Sequence, residues 1–286
     1  MGRPPKGNGV ASTPGNQPEP GWRIVEVIEG SDGGPARKIP KNYIHVTGMH
    51  PRASSGASAV GFESILEADF LMCLDFDPDV SSFTTQPVTV KCADRTRIRR
   101  YTPDALIHFA PQLNRKPWLC EVKTREDLKK NWDQLQPGFR AATRYARQKG
   151  YIFKIITDAE IRSQYQLNAT FLLPFRRRTK DTIAADKIVS VLTQAGRAVL
   201  VESLMDHFET PDARQAGFGT LWHLVATGAV EANLHVPLTV AQLSIAEDGG
   251  DYLTNVIASC SARKGKCRRR RKLRQAAVKK AGRAWL

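Results

Sequence analysis

Residues 118–158 read as strand, helix, strand, and that order constrains the chain more than any other feature in it. "WLCEVK" at 118–123 is an apolar run interrupted by two charges, "REDLKKNWDQLQPGFRAATRYARQKG" at 125–150 has a helical pattern, and "YIFKIITD" at 151–158 is again apolar and rich in isoleucine. Two buried strands joined by such a helix pair in parallel through a right-handed crossover, which puts the chain in the α/β class. Pro137 and Gly138 predict a break in the helix, Gly150 its end, and Asp158 a cap for the next helix.

Upstream, "WRIVEVIEG" at 22–30 predicts a short strand and "KNYIHVTGMHPRASSGASAVG" a loop. "FESILEADFLMCLDFDP" at 62–78 predicts a helix with Phe62, Ile65, Leu66, Phe70 and Leu74 on one side and Pro78 beyond its end. Strand-like runs follow at 83–92 ("FTTQPVTVKC") and 97–109 ("RIRRYTPDALIHF"), so the sheet is expected to be mixed. The chain changes character at "LLPFRRRTKDT", 172–182. Beyond it, three helical patterns and two short apolar runs describe a winged helix, with an ordinary helical subdomain as the plainer reading. The expected layout is an arm at 1–21, an α/β domain at 22–175, a smaller winged-helix domain at 176–258 and a basic tail at 259–286.

Within the α/β part, carboxylates stand where apolar residues are expected. Glu121 and Lys123 lie two apart on a strand and therefore emerge on one face, with Val122 on the other. Asp104 follows Pro103 at the start of "DALIHF", and if the two strands are neighbours it converges with Glu121. A buried carboxylate without a partner is costly, and a divalent cation removes that difficulty. Two carboxylates suit Mg²⁺, with Mn²⁺ as a substitute: hard ions that prefer oxygen and keep waters to exchange for a substrate phosphate. Lys123 could orient or deprotonate a water, or stabilise charge developing on the phosphate. Glu63 or Glu67, one helical turn apart, could supply another carboxylate, and Gln86 before Pro87 could hydrogen-bond in the site. The duller readings are a solvated edge pair for Glu-x-Lys and a turn for Pro-Asp. His45, His50 and His108 lack ligand-like spacing, although His108 could flank the cleft.

Charge supplies the partner class. Twelve of the 43 basic residues lie between 263 and 283, a stretch with no acid, so the rest of the chain is nearly balanced against 28 acidic residues. Such a tail, with Arg268, Arg269, Arg270, Arg271 and Lys272 at its centre, binds phosphates by counterion release and points to nucleic acid. Lys129, Lys130, Arg140, Arg144 and Arg147 on the crossover helix could follow a DNA backbone or simply face solvent. The five cysteines (73, 92, 120, 260, 267) contain no C-x-x-C pair, which argues against a structural zinc site and a disulfide scaffold. Cys73 and Cys120 read as core. No long apolar run or signal-peptide pattern is present, so no membrane is expected and the protein is read as cytoplasmic.

"GFESILEADF", "RRYTPD" and "CEVK" together resemble the PD-(D/E)xK nuclease superfamily, with its restriction-endonuclease-like mixed sheet flanked by helices. More finely, "GFESILEADFLMCLDFDPDVSSFTTQPVTV", "RRYTPDALIHF" and "WLCEVKT" resemble the catalytic domain of TnsA, the endonuclease subunit of heteromeric transposases. "LWHLVATGAVEANLHVPLT" is similar to its C-terminal half, and the likeness spans roughly residues 37–245. Some members carry Gln where this chain has Glu121. The resemblance implies that Glu63, Asp104 and Glu121 are metal ligands or metal-proximal groups and Lys123 the catalytic lysine. It also implies a Mg²⁺-dependent cut on the non-transferred strand at the 5′ ends of a transposon. The partners it implies are transposon-end DNA, a TnsB-like DDE transposase that cuts and joins the 3′ ends, and a TnsC-like AAA+ ATPase regulator. Its setting would be the bacterial cytoplasm, at the nucleoid when acting on DNA. A stand-alone restriction-type or repair nuclease and a non-catalytic DNA-binding adaptor are the competing readings.

Overall fold

Prolines decide where the β-rich part of the chain bends. In a computed structural model, which describes residues 23–30, 34–37, 46–51, 59–93 and 97–245, the elements run in this order. Strands β1 (Arg23–Glu29), β2 (Gly48–His50) and β3 (Val60–Phe62) precede helix α1 (Ile65–Phe76). Then come β4 (Val80–Thr85), β5 (Val88–Ala93), β6 (Ile98–Tyr101), β7 (Ala105–Phe109), β8 (Trp118–Lys123), α2 (Arg125–Gln148) and β9 (Ile152–Thr157). The last part holds α3 (Asp158–Ile161), α4 (Gln164–Leu172), α5 (Thr182–Ala195), β10 (Val199–Leu200), α6 (Val201–Met205), α7 (Pro211–Ala226), β11 (Val230–Ala232) and β12 (Gln242–Ile245). The arm at 1–21, His45, and the tail with Cys260, Cys267 and Arg268 to Lys272 lie outside the described residues.

Each long strand-like run of the sequence is two strands in two sheets. The run at 83–92 parts at Gln86 and Pro87, and the run at 97–109 parts at Thr102 and Pro103. Proline gives no ladder N–H, so pairing stops at both points. The inner segments β4 and β7 join a four-stranded sheet of order β4-β7-β8-β9, while β5 and β6 join a three-stranded sheet of order β1-β5-β6. The two bends lie side by side. The Gln86 N–H donates to the Asp104 carbonyl at 2.8 Å, and the Thr89 and Thr102 hydroxyls are 2.8 Å apart.

In the larger sheet β7 and β8 are antiparallel neighbours, with Ala105 opposite Cys120, and β8 and β9 are parallel across the α2 crossover. This pairing meets the condition for Asp104 and Glu121 to converge. The main core is continuous from Leu66 and Phe70 of α1, through Ile107, Cys120 and Val122, to Ile188, Leu221 and Leu243. A smaller core lies on the other face of β8, where Leu119 meets Val88 and Val90 of β5 and Ala142 and Tyr145 of α2. Cys73, Cys92 and Cys120 are free thiols and buried, as expected of core residues.

Several expectations need correction. Gly48–His50 and Val60–Phe62 pair as a short antiparallel ladder where a loop was expected, because three-residue strands are too short to show periodicity. Ile65 is 55% exposed, and the buried side of α1 is Leu66, Phe70, Leu71, Cys73, Leu74 and Phe76. The break in α2 falls at Asn131, which leaves the helical region, and the helix continues through Pro137. Asp158 does not cap the helix after it. Thr157 caps α3, and the Asp158 carboxylate instead accepts from the Arg125 N–H at the start of α2, at 2.7 Å.

The C-terminal part is three helices, α5 to α7, with an antiparallel sheet of order β10-β12-β11. It is locked to the first part by Arg176. Its guanidinium donates to the Asp75 and Phe76 carbonyls at 2.7 and 2.6 Å and to the Ala226 carbonyl at 2.9 Å, the last residues of α1 and α7. A helix leaves its final carbonyls without internal partners, so one arginine satisfies two helix ends. The Asn168 amide adds bonds to the Leu234 and Val236 carbonyls, at 2.9 and 2.8 Å. No helix among the described residues is long and apolar enough to cross a membrane.

Candidate active site

Asp104 occupies the second bend, the last residue before β7. Its backbone N–H donates to the Cys120 carbonyl at 2.9 Å, and its carboxylate accepts the Val122 N–H at 2.6 Å. Both bonds join it to β8, whose Glu121 and Lys123 share a face by strand alternation. The Lys123 ammonium is 3.0 Å from the Glu121 carboxylate, 3.9 Å from that of Asp104 and 3.1 Å from the Val122 carbonyl. Asp104, Glu121 and Lys123 are therefore one charged cluster.

Electrostatics sorts their roles. Burial, reinforced by the charge of Glu121 beside it, holds the Asp104 carboxyl well above the ordinary aspartate range, against the pull of Lys123. Burial works to lower the Lys123 pKa, but Asp104 and Glu121 outweigh it and hold the amine protonated well above the usual lysine value. With both carboxylates beside it, Lys123 is held in its charged form.

Glu121 is 3% exposed, and its second oxygen accepts a short hydrogen bond from the Tyr101 hydroxyl. Burial and the adjacent Glu121 charge raise Tyr101 far above its normal pKa, so it stays a donor. Its ring stands edge-on to Phe139, with centroids 6.1 Å apart, and lies over Gly138, where a Cβ would meet the ring at 2.4 Å. The glycine expected to break α2 instead makes room for Tyr101. Sequence reasoning missed this tyrosine: it precedes the Thr-Pro-Asp bend, but nothing in its spacing distinguishes it from a core aromatic.

The two glutamates of the α1 region part company. Glu63 forms two hydrogen bonds to the Arg37 guanidinium, at 2.7 and 2.6 Å. Glu67 turns back over the start of α1, where its carboxylate accepts from the Glu63 N–H at 2.9 Å and the Ser64 hydroxyl at 3.1 Å while Ser64 caps the Glu67 N–H. Burial raises the Glu67 carboxyl, and its charge acts on both Asp104 and Lys123. The Ser64-x-x-Glu67 spacing is the capping-box signal that could have placed it.

Gln86 is buried beside the site with φ of 48°, and its side-chain oxygen accepts from Arg37 Nε at 3.4 Å. Lys129 and Lys130 are exposed on the first turns of α2. His108 is half-buried and stands edge-on to Tyr151, while His50 is buried 3.3 Å from Asp75.

Among the described residues, no three His, Cys, Asp or Glu side chains form a ready metal-ligand group. The donor set is the pair Asp104 and Glu121, and its chemistry fits a hard divalent ion. Two adjacent carboxylates, Glu121 buried and Asp104 partly so, with the charge of Glu67 acting on Asp104, outnumber the single lysine. Such an ion takes the rest of its shell from water and phosphate.

Residues 77–158 match the family model of the TnsA-like endonuclease N-terminal domain. The chain carries a TnsA-like endonuclease domain. The matched span contains Gln86, Tyr101, Asp104, Glu121 and Lys123, with both bends and the β8-α2-β9 crossover, and begins just after α1 and its glutamates. The TnsA-like domain points to a nuclease of Tn7-type transposition acting on DNA. No curated protein matches the chain.

Proposed function

We propose that this protein is the DNA endonuclease subunit of a Tn7-like transposase. In this reading it cuts the non-transferred strand at the 5′ ends of the element by Mg²⁺-dependent hydrolysis, while a TnsB-like DDE transposase acts at the 3′ ends. The observation that carries it is the convergence of Asp104, Glu121 and Lys123 on neighbouring strands inside the TnsA-like domain.

Asp104 and Glu121 would hold the metal, and Glu67 is better placed than Glu63 to add a third carboxylate. When bound, the ion would polarise the phosphodiester and lower the pKa of a water. The protein's own groups do the rest. The Val122 N–H and the bend fix Asp104, the Tyr101 hydroxyl orients Glu121, and the Lys123 ammonium would offer positive charge to the phosphate as negative charge builds on it. Gln86 contributes through its hold on the Asp104 backbone.

The part from 176 onward is proposed as a winged helix, supported by the order α5, α6, α7 and the β10-β12-β11 sheet. It and the basic tail, including Arg268 to Lys272, would meet DNA or a TnsC-like ATPase. Lys129 and Lys130 would lie along the DNA near the cut.

Strand-resolved cleavage of transposon-end DNA, with the candidate transposase and Mg²⁺, tests the proposal. Asp104→Ala and Lys123→Ala should each abolish the 5′-end cuts and spare the 3′-end cuts. Unchanged cutting would move catalysis to the partner and leave this chain an adaptor, whereas brisk site-specific cutting by the chain alone would make it a stand-alone nuclease.

A further inference from the structure

Strand β6 and Arg97, the residue before it, carry cations that the cluster above does not use. Arg97, Arg99 and Arg100 are exposed, and their side chains make no hydrogen bond or ion pair with any described residue. Lys91, opposite Arg100 on β5, is by contrast held by Glu26 at 2.6 Å. Among the described residues β6 is an outer strand of its sheet, and Ile98, between Arg97 and Arg99, is 69% exposed. The strand ends at Tyr101, which reaches Glu121, and three residues later the chain arrives at Asp104. An extended chain advances at most about 3.6 Å per residue, so Arg100 lies within about 14 Å of Asp104. Each DNA strand carries a phosphate roughly every 3.4 Å along the helix axis, so that distance spans about four phosphates.

We infer that β6 is a DNA-backbone contact of the enzyme: Arg97, Arg99 and Arg100 bind phosphates flanking the scissile one and set the register in which duplex DNA meets Asp104 and Glu121. The occupant is duplex DNA because three unneutralised guanidinium groups on one exposed edge suit closely spaced phosphates. Strand alternation puts Arg97 and Arg99 on the α2 side and Arg100 on the other, so the edge presents charge on both its faces. The bland alternative is that these arginines only guard a sheet edge against aggregation. The inference rests on the reading of the site as DNA-cutting, but it is tested through binding.

The test is fluorescence anisotropy of the full chain with transposon-end duplex across a salt series without Mg²⁺, beside the strand-resolved cleavage assay. Arg97→Ala/Arg99→Ala/Arg100→Ala should lower the slope of log affinity against log salt by about 2 to 3, near 0.9 per contact. The corresponding triple Lys variant should keep most of the slope. Lys116→Ala removes an exposed cation before the other end of β8 and should change the slope by well under about 1. In cleavage, the triple alanine variant should raise KM more than it lowers kcat, as loss of positioning outside the reacting atoms requires. An unchanged salt slope overturns the inference whatever the cleavage result. A lowered slope in a chain that cuts no 5′ ends upholds the contact and rejects the proposed function.

Discussion

Gly138→Ala should reverse its effect depending on what stands at position 101. In an isolated helix the substitution gains about 0.5–1 kcal/mol, because glycine loses more backbone freedom on folding. Here the new Cβ would lie 2.4 Å from Tyr101 Cδ2 and 2.9 Å from Cγ, whereas ordinary contacts begin at 3.4 Å. The ring must therefore retreat by about 1 Å, and because Cγ sits at its root, a small tilt of the far edge does not relieve the contact. Retreat pulls the hydroxyl from Glu121, a buried carboxylate whose hydrogen bond is worth about 1.5–3 kcal/mol. The net expectation is a destabilisation of about 0.5–2.5 kcal/mol, with cleavage lowered about tenfold as Glu121 loses its orientation. In a Tyr101→Ala background neither the ring nor the bond exists, so the same change should stabilise by the helix gain alone. Urea midpoints of the four chains, compared at constant m-value, report both signs. A stabilising Gly138→Ala in the otherwise unaltered chain would refute the account of how Tyr101 is seated.

Burial and the Glu121 charge raise the Asp104 carboxyl, so the folded chain holds that proton more tightly than the unfolded one. Its contribution to stability is then complete below the ordinary value of 3.8 and is lost as pH rises through the raised folded value. With chelator present, Asp104→Asn should thus be more stable than the parent at pH 7, by a margin that closes towards pH 4, and a pH-independent margin would count against the burial argument. Mg²⁺ at about a hundred times its Kd should stabilise the parent chain by about 2.7 kcal/mol in the same melts, and Asp104→Asn much less. Arg176→Ala strands three carbonyls and should cost about 3 kcal/mol or more, with Arg176→Lys recovering under half of it; equal stability would show that water replaces the guanidinium. Deletion of residues 263–286 should weaken DNA binding and flatten its salt dependence, and unchanged affinity would remove the tail from the DNA interface.

What the sequence made legible followed from local chemistry. Glu-Val-Lys on an apolar strand, Asp after Pro, and a helix between two apolar runs foretold the β7-β8 pair and the crossover. The division of each long β run between two sheets was hidden because strand-forming residues stand on both sides of Gln86-Pro87 and Thr102-Pro103. Only pairing shows that these bends lie together and carry Asp104. The different partners of Glu63 and Glu67 were likewise set by the path of the chain, since Arg37, distant in sequence, engages Glu63 while Glu67 joins the helix cap. Pro137 misled because a break was assigned to the proline and its glycine, while the glycine's role lay in the tyrosine packed against it.

Arg176 has a consequence for how such a protein can diversify. One side chain completes the ends of α1 and α7, so the nuclease half and the helical half each lack something that the other's boundary supplies. Exchange of halves between relatives, with a junction in the stretch after α4, would succeed only where the arginine and both helix ends remain matched. A graft that separates them would inherit two frayed helices in place of one shared joint, and inheritance should favour transmitting the pair as a unit.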